Sequence, residues 1–246
     1  MKLPLIVVCT HHKTGTVWMA SIFRAIKRHY KLKLHSGPQA ALPPEADIFL
    51  QDHSRVDLVS LRARTPSRPV RCVHVIRDPR DVVISGCFYH VGTTEKWANA
   101  PRAEFGGKCY RETIAALPDD HAKLVFEMEH TGAKTIRDML AWNYLDDDVF
   151  EAKYEDLIAD TTFRTFRPMM EFLGFDGAET DVVLGLVHAN SLFGGAKPDP
   201  VKAGDHVRSG DARQWPSVFT PELKAEFKRL HPEALQRLGY EAGNAW

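Results

Sequence analysis

The chain of 246 residues carries no surplus of either charge: Lys and Arg number 32, Asp and Glu number 32, and the formal net charge is zero. Proteins that coat nucleic acid or an anionic membrane work through a basic excess, so both roles are disfavoured. Any anion bound here must be met by a local cluster of donors. Long apolar runs are missing too. None approaches the ~20 residues that cross a bilayer, and the apolar stretch Leu3 to Cys9 is short for a secretory signal and lacks a small-residue cleavage site after it. The expected compartment is the cytoplasm. Cysteine is scarce: Cys9, Cys72, Cys87 and Cys109 form no CxxC pair and three lie in or beside apolar runs, which favours buried free thiols over disulfides. No His, Cys and carboxylate set falls at metal-ligand spacing, so no metal is expected.

What is present is alternation. Leu5-Ile-Val-Val-Cys9 is a continuous apolar run of the kind found in strands buried on both faces. Thr16 to Tyr30 follows with Met19, Ile22, Phe23, Ile26 and Tyr30 at helical spacing. Further strands are predicted at Asp47 to Leu50, Arg71 to Ile76 and Asp148 to Lys153. Helices are predicted at Pro79 to Tyr89, Asp119 to Trp142, Thr161 to Leu173 and Pro221 to Leu238. The pattern implies an α/β fold, a single domain over residues 1–246 with a central parallel sheet flanked by helices. Two stretches fit no βα unit. Gly92 to Gly107 reads as a surface excursion, and Gly194 to Gln214, rich in Gly, Pro and Asp, as a lid or binding loop rather than an idle one.

Two segments carry chemistry. His12-Lys13-Thr14-Gly15-Thr16-Val17-Trp18 lies between the first strand and the first helix. A loop there aims backbone N–H groups and the positive helix end at whatever lies above it. Gly15 permits close approach, the threonines offer hydroxyls and Lys13 a charge, which together make an oxyanion cradle; the plain alternative is a capped helix start. The order of Lys and Gly differs from the Walker pattern GxxxxGK[ST]. In the second, Val73-His-Val-Ile-Arg77-Asp78-Pro79-Arg80-Asp81-Val-Val-Ile-Ser85, a strand ends at Arg77, Pro79 opens a helix, and Ser85 lies eight residues beyond Arg77. An arginine at a strand's carboxyl end can present its fork to a phosphate, or merely pair with Asp78 or Asp81.

These residues resemble the sulfotransferases that use 3'-phosphoadenosine 5'-phosphosulfate (PAPS), of the cytosolic type, in what would be a short, bacterial-type member. Lys13-Thr-Gly-Thr-Val-Trp18 is similar to the family's 5'-phosphosulfate loop, and Arg77 to Ser85 to its 3'-phosphate motif. Tyr154-Glu-Asp-Leu157 resembles the family's strand-end Tyr-Glu-Asp-Leu. Arg208-Ser-Gly210, Trp215 and Phe219-Thr220 are similar to its late Arg-Lys-Gly, Trp and Phe-Thr. The motifs run in order from about residue 5 to 225. The resemblance implies a P-loop-like sulfotransferase fold. It implies that Lys13 contacts the phosphosulfate and offsets charge on the leaving oxygen. Thr14, Gly15, Thr16 and Val17 would line the 5'-phosphate, Trp18 would stack on adenine and Tyr154 would reach its edge. Arg77, Ser85, Arg208, Ser209 and Gly210 would surround the 3'-phosphate. The product would be adenosine 3',5'-bisphosphate.

The same resemblance implies a general base. Family members carry a His just after the strand that follows the first helix, and His53 stands there, although the chain has 12 His and His11, His12 and His90 compete. A near-neutral imidazole suits proton removal from an acceptor hydroxyl. Departures from the family pattern are Gln51 for a Lys, Val17 for Thr, His12 for Pro and Ser209 for Lys, and no C-terminal dimerisation pattern is recognisable. The expectation is sulfuryl transfer to a small hydroxyl-bearing acceptor, with no metal, no nucleic acid and no transmembrane segment. Two other readings are a nucleotide-dependent kinase, which would need a Mg²⁺ site, and a non-catalytic nucleotide-binding module of the same fold. Phe88, Tyr89, His90, Trp97 and Phe105 are candidate acceptor walls or, equally, a hydrophobic cluster under a loop.

Overall fold

A computed structural model describes residues 3–195 and 212–246. Five parallel strands form one sheet in the order β2-β3-β1-β4-β5: β1 (Leu5–Thr10), β2 (Leu34–Ser36), β3 (Ile48–Gln51), β4 (Val70–Ile76) and β5 (Val149–Lys153). Every residue of β1 is buried, as its unbroken apolar sequence requires of a central strand. From β1 the chain builds β2 and β3 on one side and then β4 and β5 on the other. The direction of winding therefore reverses beside β1, and beyond the carboxyl ends of strands at such a reversal open α/β sheets bind ligands.

The chain divides into two compact units, one of Met1–Ile76 with Trp142–Lys197 and the other of Arg77–Ala141 with Pro198–Trp246. The first unit holds the sheet. On one face Ile6, Val8, Val73 and Val75 pack with Met19, Ile22, Phe23 and Ile26 of α1 (Thr16–Tyr30) and with Phe166, Met169 and Met170. On the other, Leu5, Val7, Cys9, Phe49 and Cys72 pack with Leu58 and Leu61 of α2 (Leu58–Arg64). All four cysteines are buried thiols, none in a disulfide. The second unit is helical. Its first helix, α3 (Pro79–Gly92), is buried along most of its length, with Asp78 as N-cap and Pro79 in the first turn.

Three predicted helices are each shorter than their sequence pattern. Residues 119–142 form α4 (Asp120–Glu129) and α5 (Thr131–Leu140), broken at His130. Residues 221–238 divide at His231 into Pro221–Leu230 and Ala234–Arg237. In 161–173 only α6 (Phe166–Phe172) is helical, because the Asp160 carboxylate accepts the backbone N–H groups of Arg164, Thr165 and Phe166 and holds the preceding turn. A β-carbon on Gly132 would lie 2.6 Å from the Glu127 carbonyl oxygen and 3.2 Å from Val83 Cγ2. We expect Gly132→Ala to cost about 1–3 kcal/mol by overpacking, read as a lower urea midpoint at an unchanged slope; an equal or higher midpoint would contradict this packing.

Candidate active site

In the first unit the loop after β1 makes a tight, self-bonded turn. Lys13 (φ 65°) and Gly15 (φ 100°) both adopt left-handed backbone, a conformation that points successive N–H groups to one side. The His11 carbonyl accepts from the Thr14 N–H (3.2 Å), the Thr14 hydroxyl (3.0 Å) and the Thr16 hydroxyl (3.1 Å), while the His11 N–H donates to Thr14 Oγ1 (2.8 Å). Thr10 and Thr16 hydroxyls lie 2.8 Å apart. The threonine hydroxyls thus tie the loop to itself. Gly15 caps α1 without a side chain, and a β-carbon there would stand 3.1 Å from Tyr154 Cδ2. Its torsion favours glycine, and a β-carbon would crowd this ring.

Other expected residues gather around this loop. Trp18 packs edge-on against Tyr154 (5.9 Å) and Phe166 (5.9 Å), with its indole N–H donating to Ser191 Oγ at 3.1 Å. Tyr154 is 8% exposed, Thr14 is buried, and Val17 is exposed on the first turn of α1. His53 sits in the turn after β3, half-buried, its ring 6.3 Å from that of His12 and nearly parallel to it. Ser54, at φ 47°, donates its hydroxyl to the Thr10 carbonyl (3.0 Å) and ties this turn to the end of β1. Gln51, where the family pattern has Lys, is buried, and its amide donates to the Gly37 carbonyl.

The second unit carries the other motif. Arg77 is 6% exposed, with Nη2 3.9 Å from Asp81 Oδ2. Ser85 lies half-buried two turns into α3. Asp81 accepts the backbone N–H groups of Gln214 (3.3 Å) and Trp215 (3.0 Å), and burial raises its carboxyl above the usual range. Arg80 makes a bidentate pair with Asp78 (2.9 and 2.7 Å) and an ion pair with Glu241 (2.7 Å). Its guanidinium lies 3.6 Å from the Trp215 ring centre and 4.6 Å from that of Trp246. Trp215 is thus part of a cation–π stack, and Thr220 caps the helix that follows it. Arg208, Ser209 and Gly210, with most of the expected lid, lie outside the described residues.

Of the candidate acceptor walls, Tyr89 and His90 are buried and Phe88 is half-buried. His90 Nδ1 and Tyr110 Oη each lie 2.8 Å from Glu127 Oε2, and Trp97 and Phe105 pack around Tyr110 at 5.6 and 6.0 Å. These contacts are those of a polar-centred core cluster. Among the described residues no group of three or more His, Cys, Asp or Glu is placed to hold a metal ion, and no helix is long and apolar enough to cross a membrane.

One cluster went unnoticed in the sequence. His74, on buried β4, lies 2.7 Å from His11 (Nε2 to Nε2) and 2.6 Å from Glu151 Oε2 (through Nδ1). Trp142 donates its indole N–H to Glu151 Oε1 at 2.7 Å and stacks on His74 at 4.0 Å. Burial pushes His74 down to about 3, so it is neutral, and pushes Glu151 up to about 7. The signal available was His74 inside the buried run Cys72–Ile76 and Glu151 in the edge strand Val149–Lys153.

Residues 3–239 match the sulfotransferase domain family, and the chain belongs to it. A search of curated proteins found no sequence match. Among solved structures, mouse sulfotransferase SULT7A1 complexed with PAP is 16% identical with a TM-score of 0.54, covering 94% of this chain and 83% of its own. Retinol dehydratase in complex with androsterone and inactive cofactor PAP is 18% identical with a TM-score of 0.56, covering 94% of this chain and 80% of its own. Both share its fold. The protein is a sulfotransferase, an enzyme of α/β architecture.

Between pH ~4.5 and 7 the folded state holds a proton on Glu151 that the unfolded chain releases, so this carboxyl's contribution to stability is lost as pH rises through that window. We expect the melting temperature of Glu151→Gln, relative to the unsubstituted protein, to be higher at pH 8 than at pH 5. A difference that is flat with pH would contradict the raised carboxyl.

Proposed function

We propose that the enzyme moves a sulfuryl group in line from PAPS to a hydroxyl of a small acceptor. The observation that carries this reading is the doubly left-handed loop of Lys13 and Gly15, placed at the carboxyl end of the central strand, where a β-carbon at Gly15 would crowd the Tyr154 ring. Such a cradle suits the flat approach of a phosphate to backbone N–H groups. The solved relatives crystallised with PAP, one of them with androsterone, support the same cosubstrate and a small acceptor. PAPS supplies the sulfuryl group and the leaving phosphate.

The chain's residues then divide the work. Lys13 and the N–H groups of residues 13 and 15–17 hold the 5' side, and the Lys13 ammonium offsets charge that develops on the leaving oxygen. Trp18 and Tyr154 take the adenine, and Arg77 and Ser85 the 3'-phosphate together with Arg208, Ser209 and Gly210. His53 takes the acceptor proton as its oxygen attacks, carried by a turn anchored to β1 through Ser54. Positioning and fixed charge do most of this, as in phosphoryl transfer, and no metal is invoked. The reading includes one domain over 1–246 and a cytoplasmic location. A second reading, a nucleotide-binding module without turnover, is favoured by Gln51, whose amide is committed to Gly37 where the family pattern has a cation.

Calorimetric titration without added metal tests the reading. Adenosine 3',5'-bisphosphate should bind at micromolar affinity or tighter, 5'-AMP and ATP should bind far more weakly, and Arg77→Ala should abolish the preference. Lys13→Ala and His53→Ala should each lower turnover by about 10²–10⁴-fold while remaining folded. Tight nucleotide binding with no transfer to any hydroxyl would favour the module. Full activity in His53→Ala would overturn its role as base.

A further inference from the structure

Three side chains on adjacent strands of the sheet form a continuous hydrogen-bonded line. Cys9 and His74 are register partners across β1 and β4, and His74 and Glu151 across β4 and β5. His11, the residue just beyond β1, reaches His74 at 2.7 Å, and His74 reaches Glu151 at 2.6 Å. His11 is 2% exposed and His74 is fully buried, whereas the Glu151 side chain is 30% exposed. The line therefore runs from a water-accessible carboxyl to the residue whose backbone bonds hold the loop of Lys13 and Gly15 together. The groups facing Glu151 are His74 and Cys72 of β4, with Cys9 beyond them, and Trp142 and Tyr144 of the segment before β5; Asp146, paired with Arg62 of α2 at 2.7 Å, is the next charge out.

We propose that Glu151 and His74 are positioning residues for the anion-binding loop, and that with His11 they form a proton relay whose state sets which ring nitrogen of His11 carries hydrogen. This rests on the reading of that loop as the phosphosulfate site. The direction of each bond follows from Trp142. Its indole N–H can only donate, so Glu151 Oε1 is an acceptor and the titrating proton resides on Oε2, facing His74 Nδ1. With Glu151 ionised, His74 Nδ1–H donates to Oε2, His74 Nε2 accepts from His11 Nε2–H, and His11 Nδ1 has no hydrogen. When one proton enters at His11 Nδ1, the Nε2 hydrogen of His11 passes to His74 Nε2 and the Nδ1 hydrogen of His74 passes to Glu151 Oε2. The three groups have then gained one proton in total. Both rings are again neutral, every bond in the line has reversed, and His11 has become an Nδ1–H donor. A neutral Glu151 and a donor at the root of the loop both favour a bound anion. Neutral His74 and a carboxyl held up near 7 place this reversal in the neutral pH range.

Two readouts separate this inference from the function it rests on. In ligand-free protein with ¹⁵N-labelled histidine, the hydrogen of His11 should move from Nε2 to Nδ1 as pH falls from 8.5 to 6. Glu151→Gln should abolish that change: with Trp142 donating to the amide oxygen, the amide N–H donates to His74 Nδ1 and fixes His11 as the Nδ1–H form at every pH. Trp142→Phe keeps a ring on His74 but removes the donor, and should blunt the change if Glu151→Gln proves unstable. In calorimetry with adenosine 3',5'-bisphosphate, the ratio of Kd in the unsubstituted protein to Kd in Glu151→Gln should rise about three- to tenfold from pH 6 to 8.5. A His11 tautomer that ignores pH, or titrates equally in Glu151→Gln, overturns the relay. A pH-independent Kd ratio overturns its link to the loop. A tautomer change in a protein that binds no bisphosphate supports the relay and overturns the proposed cosubstrate.

Discussion

The backbone of His11 is the point on which the binding loop depends. Its carbonyl accepts three hydrogen bonds and its N–H makes a fourth, all from residues within five positions. Those bonds close a turn that two left-handed residues, Lys13 and Gly15, complete. A non-glycine residue in that conformation is uncommon and costs of order 1 kcal/mol. Here Lys13 is held in it by the surrounding bonds, so the shape of the loop is set by the chain itself. Preorganised N–H groups meet developing charge without reorganising, which is where catalysis by fixed dipoles gains most.

This local arrangement also answers the charge balance of the whole chain. With equal numbers of acidic and basic residues there is no general field to draw in a polyanion. Several basic residues are neutralised close at hand: Arg62 by Asp146, Arg71 by Asp148, Arg80 by Asp78 and Glu241. Specificity for a small anion has to come from a few donors in set positions. The buried Arg80 stack and the Asp81 bonds to residues 214 and 215 act on shape: they fix the chain on the carboxyl side of the segment 196–211 against α3.

Much of this was legible in the sequence, and the limits have physical causes. The central strands were visible because burial on both faces leaves unbroken apolar runs, and Leu5–Thr10 and Val70–Ile76 differ from expectation by a single residue at one end. The edge strand Leu34–Ser36 was missed because three half-exposed residues carry no periodic signal. Residues 119–142 keep an amphipathic pattern across a break, since Thr131 begins a second helix almost in phase with the first. The loop of Lys13 and Gly15 could be placed from residue order alone. The contacts of Trp215 with Arg80, and of His90 with Glu127, could not, because each pairs residues far apart in sequence.

The His11–His74–Glu151 line shows why register matters to chemistry as well as to packing. A polar side chain in a buried strand costs free energy unless a partner meets it. Here the parallel register sets His74 level with Glu151, on the neighbouring strand at the sheet's edge. Slipping β5 by one residue would set His74 opposite Phe150 or Ala152, whose side chains leave the other face. His74 would then be buried with no carboxyl to meet. The same pairing that stabilises the edge of the sheet therefore puts a titratable group, partly open to water, two hydrogen bonds from the residue that shapes the loop after β1. A chain that needed only to fill this space would do so with a Val or Leu at position 74. The presence instead of two imidazoles and a carboxyl in line joins the edge of the sheet to the end of its central strand through hydrogen bonds.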